Sequence, residues 1–251
     1  MKIIDCFTFY NELDMLFLRL TELNDVVDYF IIVESTHTHA GHEKDLFFLV
    51  NKNRYNGFLH KIIHIVVDDM PNTSNAWDNE NHQRICIDRG IKKIELNDND
   101  LIIISDCDEI PDSNTLKIIK TTGLNDTHSF EMDLYYYNMT CYVSKWYNSK
   151  IIPYSNYKHI NNPEQIRMSH INKVIKNGGW HLSYFGNVEF IKNKIVNFSH
   201  QEFNNPSCVN DEISTKIENN KDILNRDIEF IKIEIEDNKY LPINYRLILN
   251  Q

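Results

Sequence analysis

The sequence predicts an α/β protein in which a mostly parallel sheet is flanked by helices. Short apolar segments of strand length alternate with segments of helical periodicity over about the first 105 residues. Most of these strands are continuously apolar, as expected when both faces of a parallel sheet are covered. Polar and acidic residues follow several of the strands, and open parallel sheets bind ligands at that edge.

The first half contains four predicted strands and three predicted helices. The strands cover 2–9, 26–33, 61–67 and 101–104, and the helices cover 13–24, 44–56 and 75–89. Apolar residues recur at helical spacing from Leu13 to Leu23, and Gly90 is expected to end the third helix. Strands that alternate with helices in this way form βαβ units, whose strands are parallel.

The chain changes character after Pro111. A short helix at 113–121 precedes an aromatic strand at 130–137, and 138–177 is expected to be irregular. A strand at 194–198 and a helical region from about Asp211 complete the second half. Because neither a repeat nor a linker is evident, 1–251 is predicted to form a single domain. Its first half, about 1–112, would bind a nucleotide and its second half, about 113–251, would shape the substrate site.

Composition excludes several classes of protein. The 251 residues include 36 acidic and 26 basic side chains, for a net charge of −10, which disfavours a nucleic-acid partner. The N-terminus does not resemble a signal peptide, and no apolar run approaches the roughly 20 residues of a membrane span. Five scattered cysteines predict neither a disulfide framework nor a zinc cluster. We therefore expect a cytoplasmic protein of bacterial or giant-virus origin, and the sequence does not indicate its oligomeric state.

The sharpest local feature is a cluster of carboxylates directly after the fourth strand. Asp106, Asp108 and Glu109 follow the apolar run 101–104, and Ile110-Pro111 closes the segment. Unpaired carboxylates at the end of a buried strand are costly, so a compensating cation is expected. Hard oxygen ligands suit Mg²⁺ or Mn²⁺, which commonly also bind substrate phosphates. The alternative is a solvated acidic turn that caps the following helix.

Four segments, in order, extend this interpretation. They are 11–16 (NELDML), 27–35 (VDYFIIVES), 100–111 (DLIIISDCDEIP) and 178–184 (GGWHLSY). Together they resemble glycosyltransferase family 17, the family of N-acetylglucosaminyltransferases that add a bisecting residue to N-glycans. The resemblance spans roughly residues 1–225. The middle region, Tyr135 to Asn177, shows no match, and we expect no counterpart of the Golgi anchor of eukaryotic relatives.

The resemblance implies a GT-A-type, Rossmann-like fold and an inverting, metal-dependent transfer of a sugar. The donor would be a UDP-sugar, most simply UDP-N-acetylglucosamine, and the acceptor a glycan hydroxyl. Asp106 and Asp108 would hold Mn²⁺ or Mg²⁺ against the donor diphosphate, and Asp108 is assigned to catalysis. The residues expected to contact the donor are Phe7, Asn11, Glu12, Glu34, Arg84, Asp106 and Trp180.

Inversion requires a general base on the acceptor hydroxyl. Glu202 and His181 rank first, because each follows a predicted strand or a glycine turn, and Asp133 and Glu131 remain alternatives. The resemblance also implies one late histidine as a metal ligand, for which His200 is preferred to His181. The set His37, His39 and His42 is expected to be a flexible polar loop rather than a metal site.

Three other interpretations stay open. Arg84 could bind a phosphate or form a surface ion pair. The aromatic residues of 134–157 could stack on an acceptor sugar or belong to the core. A glycosidase is disfavoured, because it needs carboxylates on opposite faces of the sugar. A nucleotide-sugar or glycan-binding protein without catalytic activity is the remaining alternative.

Overall fold

The computed structural model describes residues 1–71 and 73–249. Its first half alternates strands and helices. The elements in order are β1 (Ile3–Phe9), α1 (Leu13–Leu23), β2 (Tyr29–Ser35), α2 (Phe47–Val50), β3 (Ile62–Val67), α3 (Ala76–Ile85), α4 (Ile87–Ile91), β4 (Leu101–Asp106) and β5 (Glu109–Pro111). A 3-10 helix, Lys52–Tyr55, follows α2.

The second half contains the remaining strands and helices. They are α5 (Ser113–Thr122), β6 (His128–Tyr136), β7 (Cys141–Trp146), β8 (Lys150–Pro153), α6 (Tyr154–Ile160), α7 (Pro163–Met168), β9 (Val174–Ser183), α8 (Val188–Asn197), α9 (Ile213–Glu218) and β10 (Ile231–Lys232). Two further 3-10 helices cover Gln201–Phe203 and Tyr245–Ile248.

One ten-stranded sheet runs through both halves. The strands of the first half lie in the order β3-β2-β1-β4, and each adjacent pair is parallel. The α/β architecture expected from the sequence, a sheet with parallel strands flanked by helices, is therefore confirmed, with β1 central among the parallel strands. In this register Thr8 of β1 lies opposite Asp106 of β4, so the ends of the two strands meet at one edge.

The second half continues the sheet beyond β4. Strand β8 is antiparallel to β4 and to β6, and β6 also pairs with β7 in antiparallel and with β9 in parallel orientation. The short strand β5 pairs with β9, which places Glu109 opposite His181. This crossing brings the segment after β4 next to residues some seventy positions later in the chain.

Helices cover both faces of the parallel strands. Ile3, Phe7 and Phe9 of β1 join one buried cluster with α1, whereas Ile4 and Cys6 join a second cluster with α4 on the opposite face. Each of these five side chains has at most 2% exposure, as expected for the interior of a parallel sheet. No helix in the described parts of the chain is long and apolar enough to span a bilayer.

Several sequence predictions for the second half are wrong. The predicted strand at 194–198 lies mostly within α8, and the segment 138–177 contains β7, β8, α6, α7 and the start of β9 instead of irregular chain. The helical region expected from Asp211 contains α9 and a 3-10 helix separated by β10. Helix α8 begins after Asn187, whose side chain accepts a hydrogen bond from the Phe190 amide and caps the helix.

Two predicted helices of the first half also differ. The helix expected at 44–56 is reduced to α2 and a 3-10 turn, and the helix expected at 75–89 is divided into α3 and α4 at Cys86. Gly90 lies inside α4 rather than after it. A Cβ atom at Gly90 would come within 2.5 Å of Ile31 Cγ2, so this glycine allows the helix to pack closely on β2.

Candidate active site

A cavity of about 600 Å³ lies at the carboxyl ends of β1, β2 and β4. Residues of α3, α7, β6, β9 and α8 also line it. Both halves of the chain therefore contribute to the lining. Sites of this size and position accommodate small-molecule substrates and cofactors.

Asp106 is the last residue of β4 and is exposed to the cavity. Its Oδ2 accepts a hydrogen bond from Arg167 Nη2 at 2.6 Å, and its Oδ1 accepts one from Arg84 Nη2 at 3.1 Å. The hydroxyl of Thr8 is a further donor to Oδ1, at 3.4 Å. The Asp106 side chain retains 31% exposure, so its oxygens remain accessible from the cavity.

Asp108 occupies the turn between β4 and β5 and also lines the cavity. Its Oδ2 accepts a hydrogen bond from Lys194 Nζ of α8 at 2.9 Å. The Nε2 atom of His181 lies 3.6 Å from its Oδ1. Because Asp108 is only 11% exposed, these two neighbours provide most of its polar environment.

The third carboxylate of the segment points into the protein. Glu109 is fully buried, and its side chain accepts hydrogen bonds from Arg167, from the Trp146 indole at 2.6 Å and from the Ser149 hydroxyl at 2.6 Å. It also accepts the backbone amide of Asp106 at 2.9 Å. Glu109 therefore fixes both the turn and the guanidinium group that contacts Asp106.

A buried arginine also stabilises the turn that carries Asp108. Arg19 of α1 forms a two-pronged ion pair with Asp5, with distances of 2.8 and 2.6 Å. Its guanidinium also donates to the carbonyl oxygens of Asp106 at 2.7 Å and Glu109 at 2.8 Å. Arg19 thus anchors the backbone on both sides of Asp108.

The positive neighbours keep these carboxyls ionised. Burial alone would raise the pKa of Asp108, but Lys194 and His181 hold it well below its ordinary value. Burial would also raise the pKa of Asp106 and of Glu109. The nearby guanidinium of Arg167 is the main group that outweighs burial, so the pKa of each carboxyl is lowered. Burial would lower the pKa of Lys194, whereas Asp108 and Glu12 raise it.

Basic side chains of the protein neutralise these carboxylates, a role that the sequence pattern predicts for a metal ion. Among the described residues, five basic and five acidic side chains line the cavity: Lys44, Arg84, Arg167, Lys194 and Arg226, and Glu12, Glu80, Asp106, Asp108 and Glu164. The clustered carboxylates are therefore paired without a bound dication. An equal number of charges of each sign does, however, leave no surplus of positive charge for an incoming diphosphate.

Six of the predicted site residues line this cavity. They are Glu12, Arg84, Asp106, Asp108, His181 and His200. Arg84 is 3% exposed and contacts Asp106, Glu80 and Glu164, so it belongs to a buried ion-pair network rather than to the protein surface. The other five predicted residues, Phe7, Asn11, Glu34, Trp180 and Glu202, are not among the described residues that line it.

Phe7 and Trp180 lie on the wrong faces of their strands for donor contact. Phe7 is fully buried, and the guanidinium carbon of Arg19 lies 4.2 Å from its ring centroid. Trp180 is 1% exposed and donates its indole N–H to the Tyr240 carbonyl at 3.1 Å. Because side chains alternate along a strand, the neighbours Thr8 and His181 face the cavity instead.

Glu34 and Asn11 form hydrogen bonds that hold neighbouring elements together. Glu34 is fully buried, accepts the backbone amide of Phe48 at 3.0 Å and lies 2.9 Å from His64 Nε2. It therefore anchors α2 against β3. Asn11 donates from its side chain to Asn193 Oδ1 at 3.3 Å and joins the first strand end to α8.

Glu202 lies outside the cavity lining, in a 3-10 turn. Its side chain is 56% exposed and accepts a hydrogen bond from His200 Nδ1 at 2.7 Å. His200 lines the cavity, and its ring packs edge-on against Trp77 at 4.5 Å. Both residues follow a helix, not the strand that the sequence predicted.

The expected metal ligands are not assembled as a three-ligand set. Among the described residues, the only group of three or more His, Cys, Asp or Glu side chains with ligand atoms all within 4.8 Å of one another lies elsewhere. Asp106, Asp108 and His200 are therefore farther apart than direct coordination by all three requires. Two carboxylates that line a cavity still suit Mg²⁺ or Mn²⁺, which retain several waters and bind substrate phosphates.

Sequence reasoning missed Arg167 and Lys194. Arg167 lies in α7, within a segment expected to be irregular, and Lys194 lies in α8, at the start of the predicted strand 194–198. Both are separated from the carboxylates by more than fifty positions. The spacing of Ile191 and Ile195, which are both fully buried, is the signal that indicates a helix there.

These observations define an α/β protein with a cavity at the carboxyl ends of parallel strands, where such folds bind their ligands. The model for the family described as glycosyltransferase family 17 matches residues 1–228. The chain therefore belongs to glycosyltransferase family 17.

Curated relatives agree with this assignment. The β-1,4-mannosyl-glycoprotein 4-β-N-acetylglucosaminyltransferases of rat and human are each 28% identical to this chain over 138 residues. The match covers 52% of this chain but only 26% of each relative. The chain thus matches about a quarter of the length of these enzymes.

Solved structures give weaker similarities. HddC from Yersinia pseudotuberculosis is 13% identical with a TM-score of 0.38, and the match covers 73% of this chain and 90% of HddC. The galactosyltransferase LgtC, solved with donor and acceptor sugar analogues, is 15% identical with a TM-score of 0.35. That match covers 63% of this chain and 60% of LgtC.

Proposed function

We propose that this protein transfers a sugar from a nucleotide-sugar donor to a glycan hydroxyl with inversion at the anomeric carbon. The donor is most simply UDP-N-acetylglucosamine, because the curated relatives are named as N-acetylglucosaminyltransferases. The observation that carries the proposal is the position of Asp106 and Asp108. Both line a cavity at the ends of parallel strands in a family 17 chain.

The donor diphosphate would lie beside Asp106 and Asp108. The balanced charges of the cavity support a divalent cation there, because the diphosphate adds negative charge that no further basic residue among those described would neutralise. Mn²⁺ or Mg²⁺, held by these two carboxylates, would act as a Lewis acid that stabilises the departing diphosphate. Arg84 and Arg167 fix the Asp106 carboxylate in position for this role.

The nucleoside would occupy the ends of β1 and β2. Thr8, Tyr10, Ser35 and Thr38 line that side of the cavity and offer both hydrogen-bonding groups and an aromatic ring. The acceptor would enter from the opposite side, where Tyr136, Trp146, Tyr184 and Phe203 line the cavity. Aromatic faces of this kind pack against the apolar faces of sugar rings. This arrangement assigns donor binding to about 1–112 and acceptor binding to about 113–251.

His181 is the best-placed general base of the two ranked from the sequence. It lines the cavity, packs against Trp146 at a centroid distance of 4.7 Å and lies next to Asp108. The acceptor hydroxyl would lose its proton to His181 while its oxygen forms the new bond to the anomeric carbon. The bond from that carbon to the diphosphate breaks on the opposite face, and the nucleoside diphosphate leaves.

Release of UDP in the presence of Mn²⁺ and a panel of glycan acceptors tests the proposal. The wild-type protein should release UDP only with an acceptor, and Asp108→Asn should reduce the rate by about 100-fold or more. Asp98→Asn is the matched control, because Asp98 is 70% exposed and contacts only Lys158 among the described side chains. Nucleotide binding without acceptor-dependent turnover would identify a binding protein instead.

A comparison of two variants tests which residue is the general base. His181→Gln should lower the maximal rate and remove the acidic limb of its pH profile, whereas Glu202→Gln should leave both close to those of the wild type. The reverse result would assign the base to Glu202. Equal pH profiles in all three proteins would contradict both assignments.

A further inference from the structure

A second group of metal-ligand side chains lies on the face of α3 that points away from the cavity. Asp69 follows β3, His82 lies in α3, and Cys86 follows α3 directly. Their ligand atoms all lie within 4.8 Å of one another. We propose that Asp69, His82 and Cys86 bind a divalent cation of the zinc type, at a site separate from the cavity.

The helix geometry separates the two sites. Successive residues of an α-helix are rotated by about 100°, so His82 and Arg84 point in nearly opposite directions. Arg84 and Glu80, four residues apart, line the cavity, whereas His82 and Cys86, also four residues apart, do not. A ligand pair at this spacing lies on one face of a helix and can hold a single ion.

The distance between the imidazole and the carboxylate suits direct coordination. Zinc binds sulfur at about 2.3 Å and nitrogen or oxygen at about 2.0–2.2 Å, which places the ligand atoms of a tetrahedral site roughly 3.3–3.7 Å apart. The Nε2 atom of His82 lies 3.5 Å from Asp69 Oδ1, within this range. One thiolate, one imidazole and one carboxylate favour zinc over Mg²⁺ or Mn²⁺, and a water would complete the site.

The imidazole also needs a partner. The Nε2 atom of His82 is buried, and although Asp69 Oδ1 lies 3.5 Å away, it makes no hydrogen bond of good geometry in the parts of the chain that the structure describes. Most buried polar atoms in proteins are hydrogen-bonded or bind an ion. Cys86 is 2% exposed and forms no disulfide, so its thiol is protected from other thiols. On binding, the thiol proton would pass to solvent as the metal–sulfur bond forms.

Arg89 is the competitor for this site. Its guanidinium donates to both carboxylate oxygens of Asp69, at 2.8 and 2.7 Å. The two side chains are 41% and 55% exposed, so this ion pair is weak compared with metal coordination. A bound metal would replace Arg89 at Asp69 and join the segment after β3 to the helix that carries Arg84. Removal of the guanidinium should therefore strengthen metal binding.

Titration of the whole protein with Zn²⁺, followed by calorimetry, tests the inference. The wild type should bind one zinc ion that Asp108→Asn leaves unaffected, because Asp108 lies in the cavity. Cys86→Ala and His82→Gln should each weaken binding by more than about tenfold. Arg89→Gln should tighten it by about two- to fivefold. His60→Gln, a change at an exposed histidine, is the control.

Substitution of Co²⁺ for zinc provides a direct signature. Thiolate ligation should produce a sulfur-to-cobalt charge-transfer band that Cys86→Ala abolishes and Cys208→Ala retains. Circular dichroism of each apo protein separates loss of the site from loss of the fold. The inference fails if Cys86→Ala binds zinc and cobalt as the wild type does, or if neither the wild type nor Arg89→Gln binds zinc. Neither failure would affect the proposed sugar transfer.

Discussion

Lys194 of α8 places its Nζ atom 2.9 Å from Oδ2 of Asp108, although 86 positions separate the two residues. The contact joins the segment after β4 to a helix of the second half across the cavity. It also means that a cation already occupies one oxygen of the carboxylate to which a metal is assigned. The position of α8 and the ionisation of Asp108 are therefore coupled.

Replacement of Lys194 should expose this coupling. Lys194→Met leaves the 11% exposed Asp108 carboxylate without its closest cation, and we expect a loss of about 1–3 kcal/mol in the free energy of unfolding. Urea unfolding at neutral pH measures the loss. Lys192→Met is the matched control on the same helix, because Lys192 pairs with the exposed side chains of Glu189 and Asp211. Equal stability of the two variants would show that the contact contributes nothing.

Arg167 should be the more important cation for stability. It is 4% exposed and bridges the fully buried Glu109 to Asp106. Arg167→Met removes one partner from a buried ion pair and should lower the free energy of unfolding by about 3–5 kcal/mol. Arg167→Lys retains the positive charge but not the paired N–H donors of the guanidinium group. The stability of this variant should therefore lie between that of Arg167→Met and that of the wild type. A lysine variant no more stable than the methionine variant would contradict this account.

The lowered pKa values of Asp108 and Glu109 predict a loss of stability in acid. Burial opposes ionisation of both groups, but their cationic neighbours outweigh it and keep both pKa values below those of the unfolded chain. The unfolded chain therefore binds protons first as the pH falls below about 4.5, and the free energy of unfolding decreases from there.

A pH series checks the sign of this effect. Unfolding free energies measured from pH 6 to pH 3 should decrease more steeply for the wild type than for Glu109→Gln, which cannot take up a proton at that position. The glutamine variant should also be less stable at pH 6, because Arg167 loses its buried partner. Parallel curves would show that the pKa of Glu109 does not differ between the folded and unfolded states.

Gly179 should tolerate no side chain. Its φ is +138°, and a Cβ atom would lie 2.1 Å from the Ile110 carbonyl oxygen and 2.8 Å from Pro111 Cα. Gly179→Ala should destabilise the protein by about 3 kcal/mol or more and disturb the neighbouring His181. Gly57→Ala serves as the control, because a Cβ atom there meets nothing within 4 Å. Thermal unfolding compares the two, and similar midpoints would contradict the close approach of β5 and β9.

Local patterns explain which elements could be predicted. The parallel strands β1 to β4 are short apolar runs between polar segments, and α1 has a clear helical period, so their types and approximate ranges follow from the sequence. Residues 194–198 contain β-branched and aromatic side chains typical of strands, yet the preceding cap at Asn187 starts a helix that continues through them. Tertiary packing on Ile191 and Ile195 outweighs the local propensity.

The site was predictable mainly where a local motif marks it, at a strand end or, for Arg84, on a predicted helix. The position of Asp106 and Asp108 follows from the end of an apolar run, and both line the cavity. The pairing of Asp108 with Lys194 depends on how α8 packs, which no local pattern encodes. Phe7 and Trp180 were misassigned because the sequence motifs do not show which face of a strand each residue occupies.

A crystal structure of the protein with UDP-N-acetylglucosamine and Mn²⁺ tests the central claim most directly. The account predicts that the diphosphate lies in the cavity beside Asp106 and Asp108, with the metal between these carboxylates and the phosphate oxygens. It also predicts the sugar on the side of His181. A nucleotide bound outside the cavity, or bound within it with both carboxylates still held only by Arg84, Arg167 and Lys194, would contradict it.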